Sequence, residues 1–299
     1  MTEWTSAHSE LAAAADSGPL RLGGEAHKEL FCRTLLETFN PYKPAVLDWP
    51  ELDDEPLARL TGLPIWDIAL RTEGKASRTV AAYAAQIDGD PILRRAIELN
   101  AFEEARHKRV LGNLVEAYGI KLAPEPPYPA PRDPEWAFMV TGFSECIDSF
   151  FAFGLFELAR RSGYFPPALV ETFEPVIHEE ARHILFFVNW VAWRRRRLSL
   201  LARPGFELKV AAVWAFLAWE RMGLARDLDG SAQDNNFTVT GAKSVGMDVS
   251  LRGLIDICLA ENDRRLGAYD PRLLRPRFVP ALARLVRRLL PAAPAAVAA

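Results

Sequence analysis

The sequence Glu-Glu-Ala-Arg-His occupies residues 103–107 and recurs unchanged at residues 179–183. No other feature constrains the chain as much. Within each copy, Glu104 and His107, or Glu180 and His183, lie three residues apart. On a helix that spacing puts a carboxylate and an imidazole on one face, about one turn apart. The chain has five histidines, and two of them fall in the repeat. A single Glu-x-x-His is expected often by chance, but two identical pentapeptides are not. The flanks are apolar, with Ala101-Phe102 before the first copy and Ile184-Leu185-Phe186-Phe187 after the second. Polar groups in such surroundings are costly unless paired, and a mixed oxygen and nitrogen donor set suits iron or manganese.

The rest of the sequence reads as helix. Apolar residues recur at spacings of three and four, and prolines punctuate long uninterrupted runs. Four long helices are expected: residues 63–86, 91–119, 133–162, and from after Pro167 to about 197. Pro175 should bend the last. Between the second and third, residues 123–134 hold six prolines in twelve positions, which forces extended polyproline. Outside this block the pattern predicts a helix at 25–39 with an irregular lead-in, then helices at 205–228, 248–267 and 281–290. A polar loop is expected at 229–246, and the tail from Pro291 to Ala299 reads as disordered.

Spacing supplies two more carboxylates. Glu73 and Glu104 lie symmetrically about the Asp88–Asp90 turn, and Glu145 and Glu180 about Ser162-Gly163. Antiparallel helices meeting at a metal need that symmetry. Glu104 lies 13 residues past Pro91 and Glu145 lies 12 past Asp133, as parallel helices reaching one height require. The connection between them, about 14 residues at about 3.1 Å each in polyproline form, is long enough to return along a helix of that length.

This arrangement resembles the ferritin-like di-iron carboxylate superfamily, with one Glu from each of two helices and Glu-x-x-His from each of the other two. The likeness covers roughly residues 63–197. It implies an all-α, ferritin-like four-helix bundle at 61–199 with a long crossover between helices 2 and 3. An N-terminal helical arm (1–60) precedes it, and a C-terminal helical extension (200–299) packs on it. The implied metal ligands are Glu73, Glu104, His107, Glu145, Glu180 and His183, with Asp67 an alternative to Glu73. The implied cofactor is two iron ions, or a manganese–iron pair.

Neighbouring residues carry weaker expectations. Asp148 is either an acceptor orienting a ligand histidine or a surface acid. Arg106 and Arg182 should form outer ion pairs, Glu103 and Glu179 read as surface partners, and His178 reads as satisfied by neighbours. His8 and His27 are too remote in sequence to place. Ala69, Ala76, Ser77, Thr141, Gly142, Ser149 and Ala152, with Phe186, Phe187 and Trp190, either line a substrate cavity or pack normally.

The resemblance implies dioxygen chemistry, and the favoured reading is an oxidase or oxygenase acting on a small organic molecule, with an electron donor as partner. The alternatives are a rubrerythrin- or ferritin-like peroxidase or ferroxidase, radical initiation of the ribonucleotide reductase type, and a non-catalytic metal-stabilised protein. The long segments outside the bundle argue against the first alternative. No tyrosine lies within two turns of a proposed ligand in sequence, which argues against the second. The C-terminal helices are expected to roof the bundle and shape a substrate pocket.

Composition removes other classes. The chain has 299 residues and a net charge of -3, so nothing suits it to a phosphate backbone, and no nucleic-acid partner is expected. Cys32, Cys146 and Cys258 are isolated, which excludes a zinc ribbon or disulfide framework and suits a reducing compartment. The first ten residues lack the basic start and apolar core of a secretory signal. The longest apolar run, from Val210 to Trp219, is too short to span a bilayer. Cytoplasmic location is expected, and a homodimer stays open. The arginines at 194–197 and 284, 287 and 288 read as solvated helix ends, not membrane contacts.

Overall fold

The computed structural model describes residues 20–226 and 249–291. The expected polar loop, most of the tail and His8 lie outside the described residues. Among the described residues the chain is helical, with no strand: α1 (Glu25–Glu37), α2 (Asp54–Thr61), α3 (Trp66–Ala84), α4 (Pro91–Ala117), α5 (Pro134–Ser162), α6 (Pro167–Glu171), α7 (Glu174–Arg197), α8 (Arg203–Arg226), α9 (Leu251–Gly267) and α10 (Phe278–Leu289).

The punctuation behaves as its chemistry dictates. Asp90 and Asp133 cap α4 and α5, accepting from the backbone N–H groups of Leu93 and Trp136, with proline next in each helix. That proline has no N–H to leave unsatisfied. Gly163 ends α5 in the left-handed region at φ 63°, where a side chain would be strained. Two expectations need correction. Pro175 does not bend a continuous helix. It lies in the first turn of α7, and the chain breaks between Glu171 and Glu174. The lead-in also contains the short helix α2, begun by Asp54 and Glu55.

Helices α3, α4, α7 and α5 pack in that cyclic order. Helices α4 and α5, expected as parallel neighbours, each pack on α3 and α7 and not appreciably on one another. They stand on opposite corners, and the crossover spans that diagonal. Helix α1 lies along α4 and α7. It is fixed by Phe31, which is 1% exposed and meets Phe186 and Trp193 edge-on at 5.3 and 6.5 Å. Such burial stabilises by about 1.5–3 kcal/mol.

Helix α5 has neighbours on most sides: α3, α7, α8, α9 and α10. A helix so surrounded must be apolar around its circumference. By length and composition α5 could also cross a membrane, but 56% of its most apolar window is buried inside the fold. Its backbone meets α9 at Gly154, where an added Cβ would lie 2.3 Å from Cys258 Sγ.

Candidate metal centre

The six side chains singled out by spacing converge. Glu73, Glu104, His107 and Glu180 form one group, and Glu104, Glu145 and His183 form the other; within each, one ligand-type atom per residue lies within 4.8 Å of the rest. Glu104 belongs to both. The two imidazoles face each other with ring centroids 5.6 Å apart. Asp67, the alternative to Glu73, accepts from the Ala123 backbone N–H at 2.9 Å and pins the crossover instead.

An outer layer fixes these groups. His107 donates from Nε2 to Glu179 at 2.9 Å, and His183 donates from Nε2 to Glu103 at 2.8 Å. With Nε2 protonated, each Nδ1 keeps its lone pair directed inward. His107 Nδ1 lies 3.2 Å from Glu180 and 3.6 Å from Glu73, and His183 Nδ1 lies 2.8 Å from Glu104. These approaches lack hydrogen-bond geometry, and His107 Nδ1, His183 Nδ1, Glu104 Oε1 and Glu145 Oε1 are buried without a hydrogen-bond partner. Buried acceptors aimed at one another suit a cation among them.

Charge supports the same fit. Arg106 pairs with Glu179, and Arg182 with Glu103 at 3.1 Å, so the outer layer is neutral. The inner layer offers four carboxylates, enough to offset two divalent ions. By the protein's own charges alone, burial foremost, and then Glu104 and Glu180, push the Glu73 carboxyl up to about 8. The same causes hold Glu145 well above its ordinary range. Burial lowers His107, but Glu179, Glu180 and Glu73 outweigh it and raise the imidazole well above its usual value. Burial likewise raises Glu180, yet His107, His183 and a 3.0 Å hydrogen bond from Ser149 Oγ outweigh it and hold it low.

The N-terminal segment completes the outer layer. Arg182 donates to the Leu35 carbonyl at 2.7 Å, and Arg106 donates to the carbonyls of Asn40 and Tyr42 at 2.7 and 3.3 Å. The Tyr42 hydroxyl donates to Glu179 at 3.4 Å, and its ring lies 4.0 Å from the Arg106 guanidinium.

Several expectations change. Glu103 and Glu179 are not surface residues; both are fully buried. The outer ion pairs of Arg106 and Arg182 form, but in the interior. Asp148 does not orient a histidine. Its carboxylate is half exposed and binds Arg221 at 2.8 Å, tying α5 to α8. Tyr42 supplies the tyrosine that sequence distance concealed. His178 shares a 3.0 Å hydrogen bond with Tyr269, and His27 bonds Asn189 at 2.9 Å. The repeat itself carried a signal for the outer layer, because its Glu103/Glu179 and Arg106/Arg182 positions are duplicated along with the ligand positions.

At Gly142 the alternative of normal packing holds. A Cβ on Gly142 would lie 2.2 Å from the Phe187 ring, so that glycine admits an aromatic ring rather than a substrate. A groove of about 640 Å³ lies between α3 and α4 under Tyr128, lined in part by Gly74, Arg78, Arg109 and Ser77, the last being one of the candidate lining residues. The C-terminal helices contribute nothing to it. Comparison of the chain with protein families, with curated proteins and with solved structures returned no match.

Proposed function

We propose that the chain is a ferritin-like four-helix di-metal protein that uses two iron ions, or a manganese–iron pair, to activate dioxygen for oxidation of a small organic substrate. The convergence of Glu73, Glu104, His107, Glu145, Glu180 and His183 into two groups sharing Glu104 carries this reading. Two such ions, when bound, supply two electrons jointly to dioxygen. The chain's own residues do the positioning. Glu179 and Glu103 orient the imidazoles and favour the Nδ1 lone pair as donor, Ser149 holds Glu180, and Arg106 and Arg182 balance the outer acids. The segment around Tyr42 shields this layer from water.

The test is anaerobic loading with ferrous iron, a metal count, and then dioxygen uptake with and without a panel of organic acids, phenols and amines. Two ions per chain and uptake that requires an organic co-substrate are expected. Uptake driven by ferrous iron alone, ending in a mineral product, would replace this reading with a ferroxidase.

One observation favours a second reading. The Tyr42 hydroxyl reaches His107 through Glu179, an arrangement suited to one-electron chemistry in which Tyr42 would lose an electron to the metal pair once dioxygen had oxidised that pair and would pass its proton to Glu179. A tyrosyl signal in electron paramagnetic resonance that vanishes in Tyr42→Phe would support it.

A further inference from the structure

Among the described residues, ten of the twelve large apolar side chains exposed to solvent lie between Leu200 and Leu289. Four of them form one line on α10. Phe278, Leu282, Leu285 and Leu289 are 59%, 50%, 53% and 78% exposed and follow the i, i+4, i+7, i+11 spacing of a helix face about 16 Å long. They are not the packing face. Val279, Pro280 and Ala283 fill that role against α9 and α5. A soluble helix end would turn polar residues outward here; α10 instead presents a second apolar face, met at Phe278 by the Trp214 ring of α8 (4.6 Å between centroids) and otherwise largely open among the described residues.

Exposed arginines border this face. From Pro271 to Ala299 the sequence holds six arginines and no acidic residue. Arg284 and Arg287 are engaged with Asp263 and Asp256 of α9, Arg272 pairs with Asp270, and Arg275 donates to the backbone carbonyls of Leu266 and Asp270. Arg277 and Arg288 are exposed. At about 100° per residue they flank the apolar line on one side, roughly a quarter-turn or a little more from it. An apolar line bordered by arginines matches a surface whose interior is hydrocarbon and whose headgroups are anionic.

We propose that α10 docks this protein, lying in the interface plane, on an anionic lipid bilayer, with Leu282, Leu285 and Leu289 entering the acyl boundary and Arg277 and Arg288 meeting lipid phosphates. For Arg288 this goes beyond the reading of residues 284, 287 and 288 as a solvated helix end. It does not depend on the metal centre.

The test is co-sedimentation of the full-length protein with vesicles of phosphatidylcholine alone and of phosphatidylcholine with about one-third phosphatidylglycerol. The anionic vesicles should bind at least about tenfold more protein, and added salt should reverse that gain. Leu282→Asp with Leu285→Asp should reduce binding to the neutral-vesicle level. Both substitutions are exposed, so the thermal midpoint and metal content should not change. Arg277→Gln with Arg288→Gln should cost about tenfold on anionic vesicles only. No binding, equal binding to both vesicle types, or retention by the double-Asp variant would overturn the proposal. So would a stable dimer in light scattering that the same variant dissociates, because the face would then belong to a second copy.

Discussion

Glu103 on α4 accepts a 2.8 Å hydrogen bond from His183 on α7, and the matching bond from His107 to Glu179 returns the contact in the opposite direction. Each copy of the repeat orients the histidine of the other. Glu103→Gln should therefore loosen His183 without removing any inner carboxylate. We expect metal affinity to fall about 10–100-fold, read by chelator competition, with little change in helical content. Equal affinity in variant and wild type would mean that Glu103 serves packing alone.

Glu145 has a buried oxygen without a hydrogen-bond partner and three acidic neighbours, Glu104, Glu180 and Glu73. Its substitution should change sign with metal. Glu145→Gln should raise the melting temperature of chelator-treated protein, because burial and its acidic neighbours disfavour ionised Glu145 in the folded state and the neutral amide escapes that cost. The same variant should lose much of the gain that wild type shows on metal addition. Saturation at about 1,000 times Kd is worth about 4 kcal/mol, so the wild-type gain should be several degrees. A variant less stable in both states would argue against the centre as described.

Gly154 lets α9 approach α5 closely. A Cβ there would lie 2.3 Å from Cys258 Sγ and 3.0 Å from Cys258 Cα. Gly154→Ala should destabilise by about 1–3 kcal/mol through overpacking, measured by urea denaturation. Adding Cys258→Ala should recover only part of this, since the backbone clash persists. Full recovery would show that the helices separate freely.

His27 gives a pH dependence apart from the metals. Its Nε2 donates to Asn189 Oδ1 at 2.9 Å, while its Nδ1 accepts from the Gly23 N–H at 3.2 Å. A second proton would set N–H against N–H, and burial foremost holds this imidazole below its ordinary value, against the pull of Asn189. The unfolded chain therefore takes up the proton first. Stability should fall as pH drops below about 6.5 and level off beneath the folded-state value. In metal-loaded protein, His27→Gln should be less stable at pH 7.5 yet lose less between pH 7 and pH 5.5. Parallel profiles for variant and wild type would exclude His27 as the source.

The inner centre was legible because helical spacing is rigid. Once Glu-x-x-His appears twice, Glu73 and Glu145 follow from their distances to the Asp88–Asp90 and Ser162-Gly163 turns. The capping aspartates and prolines of α4 and α5 were readable for the same local reason. Tyr42 and Leu35 were not, because they reach the site from an irregular segment whose path no periodicity encodes. Glu103 and Glu179 were misassigned by a rule that sends charged residues outward, which fails where Arg182 and Arg106 accompany them inside. Asp67 could not be separated from a ligand, nor Asp148 from an acceptor orienting a histidine, by position alone, since their partners, Ala123 and Arg221, lie 56 and 73 residues away.

Leu35 and Tyr42 meet their partners Arg182 and Glu179 across 147 and 137 residues of chain. During synthesis the first helix must wait for more than a hundred further residues before it has anything to clasp. If the centre holds ions as proposed, they would enter before α1 docks over the outer layer. Escape of a captured ion would require that amino-terminal clasp to lift again. Residence time should then follow the local unfolding free energy of residues 25–42 more closely than the exchange rate of any single ligand.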